Sequence, residues 1–303
     1  MSSSLQETCE QVRQGVALFV LDPLGVLCVS GEDRLSWLNG MVTNDVERGL
    51  APGGRLEAAI VDVRGKLRAM VDLWRREDDV LLVTERERIA VLGESLGKMI
   101  VMEDVVLDDV SGDFTVLTVQ GPGAAGVVDR ARLKGCPADR TGSGGVDLVV
   151  STAGLPEAQE ALAAAGARAA SLEALELLRI EAGIPRWGAD VTEEMFPQEA
   201  RIEDRRVSFQ KGCYVGQEVV VRLQLRGHAN RLLCRLDLGD AEPPTRGVPV
   251  RRNDTEVGQV TSSARGPISG RTVALALLRR EASAPGTVLD VGEARASVVG
   301  PRT

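Results

Sequence analysis

Apolar and polar positions alternate along the chain in short runs whose period changes from segment to segment. Residues 26–30 read as a strand, and 32–42 as a helix with Leu35, Leu38 and Met41 on one face and Ser30-Gly31 opening it. Period-two patterning predicts strands over 56–63, 66–74 and 80–83, with Arg64-Gly65 as the tight turn between the first two. Residues 86–99 return to helical spacing through Ile89, Leu92 and Leu96, and 105–109 and 114–120 read as strands. A short helix over 124–131, a strand over 146–151 and an Ala-rich helix over 156–165 follow. The clearest helix is 171–182: Ser171 caps it, Leu172, Leu175 and Leu178 alternate with Glu176 and Arg179, and Gly183 with Pro185 ends it. Residues 184–210 are irregular and polar, a length that inside a compact chain marks a functional loop. A helix is expected over 215–225. Beyond Gly227, short strands over 231–238, 256–262, 271–278 and 294–299 are separated by Gly/Pro turns, the pattern of a small β-barrel or sandwich.

Composition narrows the chemistry. The 303 residues suit about two domains. A single histidine, His228, excludes multi-His metal sites, and only eight aromatics argue against a base-stacking nucleic-acid groove. The net charge of −8 supplies no whole-protein field for nucleic acid. There is no apolar run of about 18 residues, so no membrane span is expected, and the first residues lack a basic-then-apolar leader pattern. Five widely spaced cysteines without a CxxC pair read as reduced thiols, hence a cytoplasmic protein.

Three motifs stand out. Gln120–Gly126 contains GxGxxG between a strand and a helix, but Pro122 removes a backbone donor an anion would need, so a plain turn is the better reading than a dinucleotide site. Residues 201–235 hold eight bases against three acids, a local +5 that points to an anionic ligand or to a solvated face. Within it, Lys211-Gly212-Cys213-Tyr214-Val215-Gly216-Gln217-Glu218 places a thiol beside Lys211 and near a helix start. Both would favour a thiolate, although a small buried side chain is an equally physical reading. Glu181, two residues from Arg179, reads either as half of a surface ion pair or as a carboxylate accepting paired N–H donors from a heterocycle.

Taken together these residues resemble the superfamily of the glycine-cleavage T protein (aminomethyltransferase) and the YgfZ-type folate-binding proteins. The stretch from Lys211 to Glu218 is similar to the KGC[YF]xGQE signature of the YgfZ branch. Residues 31–45 (GEDRLSWLNGMVTND), Val119-Gln120-Gly121-Pro122 and 179–200 (RIEAGIPRWGADVTEEMFPQEA) support it. The resemblance implies an α+β chain in which two intertwined, ferredoxin-like N-terminal domains (1–225) surround a central folate channel, followed by a small β-barrel (226–303). It implies tetrahydrofolate or a derivative as cofactor, with Glu181 on the pterin edge and Arg222 in the positive stretch that suits the glutamate tail. It further implies a monomeric protein with an accessory role in assembling or repairing iron–sulfur proteins, and so in tRNA modification. Its partners would be those proteins or their assembly factors, with no direct nucleic acid, membrane or metal.

The departures from the family pattern separate its branches. The T protein carries a catalytic aspartate in a GGxxDD-like segment; the matching 65–70 segment here holds no carboxylate at Ala69 or Met70. Asp72 lies two residues later, about 7 Å along a strand. Cys213 would be the working thiol, with Lys211 tuning it and Gly212, Tyr214, Gly216, Gln217 and Glu218 shaping the loop or meeting a partner. Leu24 and Leu175 fall where some YgfZ-type proteins place tryptophans, and Trp187 where the T protein has a tyrosine. The alternatives are a tetrahydrofolate-dependent aminomethyltransferase and a folate-binding module without thiol chemistry.

Overall fold

The computed structural model describes residues 3–300. The chain divides into two compact units and crosses between them four times. One contains residues 1–21, 116–190 and 230–303, the other 22–115 and 191–229.

The 22–115/191–229 unit is built on a five-stranded antiparallel sheet. Its spatial order is Arg55–Val61, Leu67–Arg75, Asp79–Glu85, Leu24–Ser30 and Val106–Asp109. One face buries Leu27, Val29, Ala58, Ala69, Val71 and Leu82 under helices Arg34–Met41 and Arg86–Gly97, whose Leu38, Ile89, Leu92 and Leu96 complete the core. Period two on the strands and spacings of three and four on the helices therefore meet in one core. The turn at Arg64-Gly65 forms as expected, with Gly65 at φ +75°.

The other unit holds a second sheet and the barrel. The sheet runs Arg168–Ala169, Ala17–Val20, Phe114–Gln120, Gly145–Ser151 and Cys136–Pro137. Its core of Leu18, Leu117, Val119 and Leu148 is closed by Val127, Val128 and Leu162 from helices Ala124–Arg130 and Leu155–Ala164. Six strands close the barrel in the order Arg231–Gly239, Thr272–Arg279, Thr255–Arg265, Pro249–Arg252, Val288–Val291 and Ala294–Val299. Closure removes the unpaired edges that an open sheet would expose. Four of these strands follow the sequence pattern. Pro249–Arg252 and Val288–Val291 have four residues each, too short to show a period.

Several further elements were not evident from patterning. Helix Ser3–Gln14 buries Cys9 and Val12 completely. Its C-terminal end explains the GxGxxG decoy: Gly121 sits at φ +124°, where an added Cβ would fall 2.2 Å from the Gly15 carbonyl oxygen. That glycine serves close approach between backbones and not a phosphate. The 184–210 stretch contains two single-turn helices, Pro197–Ala200 and Glu203–Arg206. No helix among the described residues is long and apolar enough to cross a membrane.

Candidate functional site

The strap of residues 205–216 lies against the segment 39–45 and is fastened to it residue by residue. Thr43 Oγ1 donates to the Arg206 carbonyl (2.6 Å), the Ser208 N–H donates to the Thr43 carbonyl (3.0 Å), and Asn44 Nδ2 donates to the Arg205 carbonyl (3.1 Å). Farther along, the Val215 N–H donates to the Gly40 carbonyl (3.1 Å). Between these, Lys211 Nζ donates to the carbonyls of Asn39, Val42 and Asn44 at 2.5, 2.8 and 2.8 Å. Its ring neighbour is Tyr214, 5.1 Å away. Two segments distant in sequence thus form one piece of structure.

This geometry corrects the expected role of Lys211. An ammonium has three donors, and all three are spent on carbonyls, so none is left for a thiol. Lys211 is a pin at the C-terminal end of helix Arg34–Met41, where cations are favoured. Burial depresses its pKa to about 8. The helix after the motif is Gln217–Arg226, two residues later than expected. Gly216 at φ +78° interrupts the helical run, and an added Cβ there would fall 2.2 Å from the Asp62 carbonyl oxygen. Cys213 therefore lies outside the first helical turn. It is nevertheless exposed, whereas Cys9, Cys136 and Cys234 are buried and Cys28 is half-buried. Burial raises the Cys9 and Cys28 thiols to about 11, aided by Glu181 and Asp79 respectively. Gln217 Nε2 donates to the Gly212 carbonyl (3.3 Å), which steadies the loop. Tyr214 is buried with its pKa pushed up to about 12 by desolvation. Glu218 and Arg222 are exposed on the helix.

The motif helix also packs on the hairpin turn. An added Cβ at Gly65 would fall 3.1 Å from Val219 Cβ, so the glycine makes room for the helix. The strand beginning at Leu67 is covered by the 193–199 loop. The Leu67 N–H donates to the Met195 carbonyl (2.9 Å), Lys66 Nζ lies 3.5 Å from the Phe196 ring centroid, and Glu193 pairs with both Arg68 (3.1 Å) and Arg88 (2.5 Å). Asp72, the nearest carboxylate along that strand, is buried between Arg55 (2.9 Å) and Arg206 (3.2 Å). Glu57 pairs with Arg205 (2.5 Å) and lies 3.7 Å from Arg206. Much of the positive stretch is thus consumed internally: Arg205, Arg206 and Lys211 all have partners within the unit.

The remaining predicted residues divide between the units. Leu24, on strand Leu24–Ser30, is half-buried in the 22–115/191–229 unit. Leu175, Glu181 and Trp187 belong to the other. Leu175 is half-buried on helix Leu172–Ala182, and Trp187 is 4% exposed, which leaves its ring little surface for stacking. The Glu181 carboxylate accepts the backbone N–H groups of Ile268 (3.1 Å) and Ser269 (2.7 Å) from the loop joining strands Thr255–Arg265 and Thr272–Arg279. Paired N–H donors do meet this carboxylate, and in this structure they come from the chain itself. Each oxygen keeps a second acceptor site. Arg179 does not pair with Glu181. It bonds Glu176 and Asp190, with Ser262 Oγ at 3.0 Å. The Glu176–Arg179 contact is an i,i+3 pair on the helix, whereas Asp190 reaches Arg179 from irregular chain beyond it.

Helix-capped sheets and a closed six-stranded barrel define the class: an α+β protein. The GCVT N-terminal domain matches residues 1–135, and the glycine cleavage T-protein C-terminal barrel domain matches 231–299. The aminomethyltransferase of Bacillus subtilis is 30% identical over 95% of this chain and 86% of its own. That of Geobacillus kaustophilus is 28% identical with 95% and 86% covered. The crystal structure of the glycine cleavage system aminomethyltransferase T from Bartonella henselae has the same fold, with a TM-score of 0.86 at 20% identity over 98% of this chain and 89% of that one. The chain belongs to the glycine cleavage T-protein (aminomethyltransferase) family. The two domain matches leave residues 136–230 outside, and those residues include Glu181 and Cys213.

Proposed function

We propose that this chain is a tetrahydrofolate-binding accessory protein of the YgfZ type, acting in the assembly or repair of iron–sulfur proteins and so in tRNA modification, with Cys213 as its working thiol. The observation that carries the reading is the strap. It holds one exposed cysteine on a loop pinned by Lys211 and Gln217, while the other four thiols are buried or half-buried. Residues 1–225 are the proposed folate-binding region and 226–303 the proposed barrel module. The chain's residues suit a folate. Glu181 is half-buried with acceptor capacity to spare for the aminopyrimidinone edge, Leu24 and Leu175 offer half-buried apolar surface, and the exposed Arg222 suits a carboxylate tail. Tetrahydrofolate would supply one-carbon chemistry, and Glu181 would hold its pterin edge. Titration followed by tryptophan fluorescence tests this. The wild type binds, and Glu181→Ala binds about 10- to 100-fold more weakly through loss of a charge-assisted bidentate contact. Absence of binding by the wild type removes the ligand. Cys213→Ser is expected to bind folate normally but to fail to restore iron–sulfur enzyme activity in a deletion strain. Full restoration reduces the protein to a folate-binding module.

A second reading, a tetrahydrofolate-dependent aminomethyltransferase, is favoured by the names of the relatives. It is opposed by the arginine-caged Asp72 and by the absence of a carboxylate at Ala69 or Met70, because a proton-handling group must lie within hydrogen-bond reach of its substrate. Formation of methylene-tetrahydrofolate from an aminomethyl carrier at a transferase rate would establish it over the first.

A further inference from the structure

The connection from helix Arg86–Gly97 to edge strand Val106–Asp109 has an unusual distribution of side chains. Ile100 packs against the core and Val105 is buried, so both ends of the turn are anchored. Between and beside them Met99, Val101, Met102 and Val106 face solvent, with Val101 81% and Met102 92% exposed. Four of the large apolar side chains exposed among the described residues therefore fall within eight positions.

The turn is also held rigid. Glu103 Oε2 accepts the N–H groups of both Val101 (2.9 Å) and Met102 (3.0 Å). Asp33 Oδ2 accepts the Asp104 N–H (2.9 Å), Asp104 Oδ2 accepts the Glu32 N–H (3.1 Å), and Gly31 at φ +104° lets the Asp104 carbonyl approach where a Cβ would collide. A fixed apolar tip loses little conformational entropy when covered.

Charge selects what covers it. Residues 94–109 contain the acids Glu94, Glu103, Asp104, Asp108 and Asp109 and one base, Lys98, which is paired with Glu94 at 2.6 Å. The same face of a second copy would bring like charges together, and an anionic lipid surface would be repelled. We propose that the Val101–Met102 tip is a docking knob for a partner protein that presents an apolar pocket rimmed by lysine or arginine.

The test places a photo-crosslinking amino acid in the full chain, either as Met102→benzoylphenylalanine or, as control, as Val91→benzoylphenylalanine on helix Arg86–Gly97, and irradiates producing cells. The protein captured through Met102 and not through Val91 is then purified. Its binding to the full chain is measured against Val101→Ser/Met102→Ser, whose thermal unfolding should match the wild type because both positions are exposed. Support requires a dissociation constant about tenfold higher for the double variant and weaker binding as salt rises from about 0.05 to about 0.5 M. Cross-linking only to a second copy or to lipid overturns the proposal, as does absence of a Met102-specific product or a partner indifferent to the double variant.

Discussion

Each unit contains a buried cation whose handling can be compared, Arg179 in one and Lys211 in the other. Arg179, in the unit that includes the barrel, is 5% exposed and meets the carboxylates of Glu176 and Asp190 and the Ser262 hydroxyl. Lys211, in the unit that includes the strap, is 7% exposed and meets three carbonyl oxygens and, among the described residues, no carboxylate within bonding distance. Burial works against both charges. For Arg179 it is outweighed by Glu176 and Asp190, and the pKa is raised; for Lys211 burial prevails over the more distant Asp45 and Glu47, and the pKa falls to about 8. Carboxylates neutralise a buried cation, whereas carbonyl dipoles orient it without removing the cost of its charge.

The largest effect that this contrast predicts is at Arg179. Arg179→Met leaves the fully buried Asp190 side chain without its cation, and breaking a buried pair in this way costs about 3–5 kcal/mol. Denaturant unfolding of the two proteins measures it. Thr261, whose hydroxyl donates to Asp190 at 2.6 Å, softens the loss without supplying charge. Lys211→Met should cost less, about 1–3 kcal/mol: three carbonyls lose donors, but a desolvated charge also disappears. Equal losses in the two variants would break the comparison, because they would mean that the carbonyl cage stabilises its cation as well as the carboxylates do.

The sequence made this contrast only half legible. Regular elements followed from periodicity because each strand or helix buries one face, and the loop-rich strap was recognisable by its motif. The direction of a side chain in a loop does not follow from adjacency, so Lys211 read as a neighbour of Cys213 when its ammonium points to Asn39, Val42 and Asn44. Asp190 is eleven residues from Arg179, in irregular chain where no period assigns a partner. Gly216 and Gly121 are legible as glycines, yet the reason for each lies in a carbonyl brought close by another segment, that of Asp62 and that of Gly15.

The last predicted effect is a pH slope, and its sign sharpens the comparison. Between about pH 8 and the ordinary lysine pKa of 10.5, the unfolded chain keeps the Lys211 proton while the folded chain has released it. Stability then rises with pH through that window, relative to Lys211→Met, which lacks the group. Glu203 in the same unit gives a slope at the acid end. Burial raises its carboxyl to about 7, so between the ordinary glutamate value of 4.5 and 7 the folded chain binds the extra proton and stability falls as pH rises. Arg179 contributes to neither window because it stays charged throughout. Unfolding curves of wild type, Lys211→Met and Glu203→Gln across pH 4.5 to 10.5 separate the two. A wild-type curve that declines relative to Lys211→Met above pH 8 would mean that the three carbonyls outweigh desolvation, and the two buried cations would then be alike.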